Sequence, residues 1–478
     1  MPRLRAISGS RQRGRALAIL LCLVVGAAAL VTWTVTGNGP GSYTATVTVD
    51  TTAKASGDLG ARYIGLSIES EALNSGKITS AGDLVRLLRN LGTSVLRFGG
   101  NSADTSFTGI SPSGLRNLVA TADASGWSVL YTENEGDYDR ARVAADAGTV
   151  SAALGAKLFA FACGNEPDAY AHNGIRPRDY SAANYRGQAT ACLRTIRAAA
   201  PYTPLEGPDT AGSLSWFGAY AEREGSLVSW LGQHYYPMGC ATTSDAPATL
   251  VSTLLSPGLA DTEARTLDRY VAVARSDGEP LLVTETNSAC GGGIPGLSDA
   301  YASALWAIDY LLTGAEQGVK GMYFHTGALD ANRDGYPVLC QTGASSYSAQ
   351  PIYYGLLFAH LIGTGRFLPV KVSLPPQSGG NVAAFALKSP DGGSRLMLEN
   401  LSGKQLDATL RLGATSGYAT VLRLTGPGPL ATSGVQIQGA SVTANGDFDP
   451  GSPDIVHCAP RSCSVTLAPY SAAQVTVG

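Results

Sequence analysis

Between residues 62 and 330 the chain repeats one pattern eight times: a short apolar run, then a stretch with helical periodicity. The runs are YIGLSI, SVLRFGG, WSVLYTE, KLFAFACG, TPLEG, VSWLGQHYY, PLLVTET and GMYFHTG, of which the fifth is the weakest. Between them, Val143, Ala147, Val150 and Leu154 step along one helix face. Tyr301, Leu305, Ile308 and Leu312 do the same, with Ser298 placed as a cap before them. Continuous apolar strands alternating with helices imply a parallel sheet covered on both faces, and eight units are the number that closes a barrel. An open, doubly wound sheet would normally carry a Gly-rich phosphate loop after its first strand. GLSIESEAL has none, and no cofactor is expected. The fold expected over residues 61–364 is therefore a (β/α)8 TIM barrel.

The flanks have a different rhythm. Tyr43 to Val49, YTATVTV, alternates with period two, as a half-buried strand does. After PIYYGLLFAHLIG, the short alternating segments RLMLEN, ATLRL, ATVLRL, VQIQG, CSVTLAP and AAQVTV are punctuated by Gly and Pro. That is the pattern of a β-sandwich, expected over residues 365–478. The early strand, within residues 43–60, has no helix partner and is expected to join it. At the start, Arg3, Arg5, Arg11, Arg13 and Arg15 precede an apolar run from Ala16 to Val35. A charged region before an apolar one marks an exported chain. Ala27-Ala28-Ala29 offers a cleavage site, yet the run is also long enough to span a bilayer. Residues 1–36 are read as a signal peptide or a signal anchor, with the remainder secreted or held at the outer face of the membrane.

Charge excludes one class of partner. Only 15% of residues are Asp, Glu, Lys or Arg, the net charge is −3, and no basic run follows the first fifteen residues. A nucleic-acid binder needs a basic face, so none is expected. Seven cysteines follow the leader, and an exported chain permits disulfides. Cys458 and Cys463 flank a tight loop and form the best candidate pair. Cys240, Cys290 and Cys340 each follow a strand end, so two of them are candidates to bridge loops there. An odd count leaves at least one thiol outside any internal pair. Metal-ligand spacing is absent: there is no C-x-x-C, and no H-E-x-x-H among five His.

A barrel reading directs attention to strand ends, because barrel enzymes collect their catalytic groups at the C-terminal ends of strands. Glu166, in FACGNEPDAY, follows the fourth strand, and Glu285, in LLVTETNSACGGG, ends the seventh. Two facing carboxylates are what glycosidic cleavage requires. Asn165 adds an amide suited to a sugar hydroxyl, and RFGGNSAD, QHYYP and NSACGGG add polar and aromatic groups at other strand ends. His234 reads either as a sugar contact or as a packed strand-end histidine. Arg97 points to the core or to the mouth, and a structural ion pair is equally open. Glu69 and Glu133 also end strands and are kept as supporting groups, while Tyr353 and Tyr354 read as helix packing.

GNEP after the fourth strand and a Glu ending the seventh resemble the clan of barrel glycosidases that retain anomeric configuration. LRFGGNSAD, HYY, TETNSACGGG and LAPYSAAQVTV together resemble family 79 of the glycoside hydrolases, the β-glucuronidases and heparanases, across residues 43–478. The resemblance implies Glu166 as acid/base, Glu285 as nucleophile and a substrate ending in glucuronic acid. It further implies sugar contacts from Asp104, Asn165 and a tyrosine of the HYY segment, Tyr235 or Tyr236, with Tyr336 as an added donor. An ionised Glu285 would disfavour ionisation of Glu166 at the ~5–5.5 Å spacing of retaining enzymes. A uronate needs compensating donors, and Gly291, Gly292 and Gly293 read either as an anion nest of backbone N–H groups or as a simple flexible turn. The rival readings are another β-glycoside or a 4-O-methylated uronide as substrate, or a carbohydrate-binding protein without catalysis.

Overall fold

The repeated strand–helix units do close. The computed structural model describes residues 41–240, 245–330, 335–413, 415 and 417–477; the expected leader, residues 1–36, lies outside them. Among the described residues, eight parallel strands form one sheet: β1 Ile64–Glu69, β2 Val95–Gly99, β3 Ser128–Glu133, β4 Leu158–Cys163, β5 Glu206–Thr210, β6 Trp230–Tyr235, β7 Leu281–Thr286 and β8 Met322–His325. Parallel ladders join neighbours around the ring, with register shifts in the β3–β4, β5–β6, β6–β7 and β7–β8 pairs, and β1 meets β8 through Leu66 and Phe324. Between β4 and β5 closure rests on a single bridge, Phe161 to Leu205.

Inside the ring, Val95, Leu130, Ala160, Ala162, Leu282 and Tyr323 pack into an apolar floor. Gly65 is there because a Cβ would strike the Tyr323 ring. Helices cover the outside, and their starts are read from side chains: Ser111, Asp139, Ser213 and Ser256 each accept a backbone N–H, and Ser181 with Asn184 forms a capping box. Val143, Ala147, Val150 and Leu154 are the buried face of Arg140–Leu154, as their spacing predicts.

Two local expectations are corrected. The fifth strand is Glu206–Thr210, three residues past the start of TPLEG, because its polar residues point into the barrel and not into an apolar layer. Ser298 is not the cap of Tyr301–Gln317; Ala300 holds that position. The Ser298 hydroxyl instead accepts from the Ile294 N–H at 2.9 Å and meets the Ser288 hydroxyl at 2.7 Å.

The helix Tyr301–Gln317 is buried almost all round because the β domain covers its outer side. That domain is a twelve-stranded sheet folded over on itself, with Asp454–Ala459 hydrogen-bonded to both halves. Its inner faces meet in a second core that includes Val47, Leu396, Leu410, Val465 and Val475. Ser42–Val49 joins it as expected, parallel to Gln405–Arg411 and antiparallel to Val370–Ser373. The outward face of one half, through Phe385, Met397 and Leu424, continues into the barrel core. Pro40–Gly478 therefore forms one compact unit.

Three disulfides lie among the described residues. Cys458–Cys463 and Cys240–Cys290 match the candidates, and Cys163–Cys192 ties the end of β4 to the helix Ala182–Ala199. The Cys340 thiol donates to the Asp330 carbonyl. No helix of the described residues is long and apolar enough to cross a membrane.

Candidate active site

Arg97 organises the mouth of the barrel. It lies on β2 in phase with Val95 and enters the interior fully buried, where Gly99, one step on, leaves room for its guanidinium. Nη1 donates to Glu285 Oε2 at 2.7 Å and to Ser67 Oγ at 2.9 Å; Nη2 donates to Asn165 Oδ1 at 2.8 Å and to Asp209 Oδ2 at 2.9 Å. Four strands thus meet on one cation. Planar, forked guanidinium geometry permits this where an ammonium would not.

Glu285 ends β7 with both oxygens engaged, Oε1 accepting from the Tyr236 hydroxyl at 2.8 Å. Burial alone would raise its pKa, but His325, His234 and Arg97 oppose this and hold it down to about 2. Glu166 follows β4 in the left-handed backbone region, φ 53°, and its N–H donates to the Asp209 carbonyl at 2.8 Å. That unusual backbone turns its carboxyl into the mouth, where Oε1 lies 3.0 Å from His234 Nδ1. One oxygen of Glu166 and one of Glu285 lie within 4.8 Å of each other, with a His234 nitrogen inside the same radius. Burial would lower the His234 pKa, yet Glu285, Asp209 and Glu166 raise it to about 9. Asp209 is pulled well below the usual carboxylate range: burial opposes ionisation, but Arg97 and His234 outweigh it. Its neighbour Glu206 is pushed well up by burial and by Asp209.

A cleft of about 920 Å³ opens above this cluster. Glu69, Asn101, Glu166, Tyr235, Tyr236, Glu285, Gly291, Gly292, His325 and Tyr336 are among the residues lining it. The turn Cys290–Gly293 has φ of 67°, 95° and 88° at its three glycines. The Gly291 and Gly292 N–H groups have no partner among the described residues, whereas the Gly293 N–H reaches the Cys290 carbonyl. Gly292 also accepts the Tyr336 N–H at 3.1 Å, and the Tyr336 ring stacks on Tyr236 at 6.2 Å. The Cys240–Cys290 disulfide anchors the turn, and both its cysteines line the cleft.

The remaining expected residues divide by position. Asp104 does not line the cleft: Oδ1 accepts from the Glu135 and Gly136 N–H groups, Oδ2 from the Asn165 N–H and the Tyr170 hydroxyl. With each oxygen accepting two hydrogen bonds, it holds Asn165 in place. Asn165 turns its oxygen to Arg97 and the Gly100 N–H, which leaves Nδ2 without a partner among the described residues. His234, fully buried, positions Glu166 and does not face the cleft. Gly293 gives way to Gly291 in the turn for the same reason: its N–H is taken. Tyr235 packs its ring edge-on to Tyr270 at 6.4 Å. Glu69 accepts from the Ser102 N–H at 2.8 Å and faces His325 at 3.6 Å, whereas Glu133 is buried beside Asp146, away from the cleft. Asp209 and His325 were missed. His325 ends β8 and fell under the same strand-end rule as Glu285; Asp209 was hidden by the misplaced fifth strand.

No family model matches the chain. A β-glucuronidase of Neurospora crassa is 28% identical over 222 residues, 42% of this chain and 39% of that protein. The sequence is similar to a β-glucuronidase. The chain spans about two fifths of the length of that relative. Among solved structures, a 4-O-α-L-rhamnosyl-β-D-glucuronidase from Fusarium oxysporum superposes with a TM-score of 0.75 at 20% identity, over 90% of this chain and all of that one. An arabinofuranosidase from Xanthomonas axonopodis pv. citri reaches 0.69 at 14% identity, over 91% of this chain and all of that one. The barrel with its β domain is thus shared by proteins named for different sugars, and the fold alone does not choose among them.

Proposed function

We propose that this chain is a retaining β-glucuronidase acting outside the cytoplasm on terminal β-linked glucuronic acid. The observation that carries the reading is the separation of Glu166 and Glu285 oxygens, within 4.8 Å, at the mouth of the barrel. It fits the ~5–5.5 Å class of double displacement and leaves no room for the water that the ~6.5–9.5 Å class needs. Glu285, ionised and aimed by Arg97 and Tyr236, attacks the anomeric carbon. The bond to the leaving oxygen breaks as Glu166 delivers its proton there. A water then attacks the glycosyl ester, and Glu166 takes the water's proton. Positive charge beside Glu285 lowers its basicity and so favours its later departure from the ester.

The open Gly291 and Gly292 N–H groups support a uronate in the sugar pocket, since successive N–H groups at positive φ form an anion nest. The three disulfides support an oxidising compartment. The test is hydrolysis of an aryl β-glucuronide against the matching β-glucoside, with the anomer first released followed by NMR. Preference for the glucuronide with release of the β-anomer is the expected result. Preference for the glucoside removes the uronate assignment, and release of the α-anomer removes the two-step mechanism.

A further inference from the structure

The cleft has two unlike walls. On one side, β7, β8 and β1 supply Glu285, Gly291, Gly292, His325, Tyr336 and Glu69, the pocket assigned above to the sugar being cleaved. The other wall comes from the segment after Glu166, the loop after β5 and the helix Pro257–Ser276; it carries His172, Asn173, Leu214 and Arg269. Tyr270 fixes this helix to the β5 loop by donating to the Gly212 carbonyl at 2.8 Å. Arg269, one residue earlier, has no hydrogen-bonding or acidic partner among the described residues. Leu214 is an exposed apolar side chain lining the same cleft.

His172 also borders an adjoining depression lined by Arg176 and Arg178, with no acid in its lining. The Arg176 guanidinium is spent on the Glu135 and Gly136 carbonyls, but Arg178 has no partner among the described residues. Beyond Glu166, then, the groove runs past arginines, and its described lining residues on that side include no further carboxylate.

Glu166 must touch the glycosidic oxygen in order to protonate it, so the group that leaves lies past Glu166, against the Arg269 wall. We propose that this wall is the leaving-group subsite and that it receives an anionic saccharide, whose carboxylate or sulfate the Arg269 guanidinium holds. The inference rests on the glycosidase reading above. A guanidinium offers parallel N–H donors matched to a planar carboxylate or to two sulfate oxygens, and an uncompensated one on a groove wall makes that wall electropositive. Leu214 supplies an apolar surface for the ring face of the same residue.

The experiment compares four substrates: an aryl β-glucuronide, and disaccharides in which glucuronic acid is β-linked to a neutral hexose, a hexose sulfate or a hexuronic acid. In the wild type, one or both anionic disaccharides should exceed the neutral one in kcat/KM by about threefold to tenfold, the advantage shrinking with added salt. Arg269→Gln should collapse the ratio of anionic to neutral disaccharide toward one, chiefly through KM, and Arg269→Lys should restore part of it. Whether the sulfate or the uronate keeps the larger ratio tells which anion the subsite takes. A wild-type ratio of one, or an Arg269→Gln variant that keeps the wild-type ratio, overturns the proposal. Failure of the wild type on all four glucuronides, the aryl one included, removes the glycosidase reading itself.

Discussion

Arg97 and Glu285 meet inside the barrel mouth, Nη1 to Oε2 at 2.7 Å, with the guanidinium wholly shielded from water. Asp209 shares the same cation at 2.9 Å. Removing a buried cation that serves two carboxylates takes from both their charge-assisted hydrogen bond and leaves only histidines as cationic neighbours among the described residues, at a cost of about 3–5 kcal/mol. Arg97→Ala is therefore expected to lower the melting temperature strongly and to abolish turnover. Arg97→Lys should recover part of the stability and little activity, since one ammonium cannot span the four acceptors. Calorimetry and glucuronide hydrolysis on both variants check this.

Glu285→Gln should fold as the wild type does, because the amide keeps the shape and Tyr236 can still donate, yet lose turnover by orders of magnitude. Glu166→Ala should fail selectively: activity on a poor leaving group falls far more than on an activated aryl glycoside, which needs little protonation. Equal losses on both substrates would remove Glu166 from the acid/base role.

Gly292 has φ 95° and open space where a Cβ would stand, so Gly292→Ala acts through backbone strain of roughly 1 kcal/mol and not through a clash. The expected effect is a higher KM for the glucuronide with a smaller change on the glucoside. Reducing the Cys240–Cys290 disulfide should shift the same ratio in the same direction, since it releases the turn that carries both N–H groups. An unchanged KM after reduction would show that the turn holds its shape unaided.

Stability against pH follows from two sets of groups with opposite signs. Glu285, depressed to about 2, contributes stability above the ordinary carboxylate pKa and loses it as pH falls through about 2. His234, raised to about 9, contributes below about 6.5 and loses its contribution as pH rises through about 9. Asp309, on the helix Tyr301–Gln317, is pushed by burial up to about 6, and its neighbour Glu399 in the β domain is pushed well up by burial and by Asp309. A carboxyl held neutral in the fold costs stability as pH rises from its unfolded pKa through its folded one. Asp309→Asn should therefore flatten the decline between about pH 4 and 6, by about 2 kcal/mol. Thermal melts of the wild type and the variant across that range decide it.

How much of this was readable beforehand depended on what each residue faces. Seven barrel strands were legible because both sheet faces are covered and the runs are apolar. Glu206–Thr210 was not, because its residues turn a polar network inward, and polarity in a strand reads as loop. Glu166 and Glu285 were legible from their place at strand ends. The surroundings of Asp104 and His234 were not, since a polar residue beside a site and one inside it have the same spacing; only the four donors to Asp104 and the burial of His234 against Glu166 place them. Cys163–Cys192 joins a strand to a helix with no local signal at all.

Ser42–Val49 has a consequence for the order of assembly. It is the first described strand to leave the ribosome, yet the Tyr43 hydroxyl finds its Asn400 acceptor 357 residues later, and its parallel neighbour is Gln405–Arg411. Barrel units can pair with neighbours made just before them, but this strand waits through synthesis of the whole barrel with its edges unpaired. Closing the β domain is thus a late event for the nascent chain, and a copy that stops short of residue 370 carries a finished barrel beside a sticky, unpartnered ribbon. Quality control that recognises exposed strand edges would discriminate full-length from truncated copies by that ribbon alone.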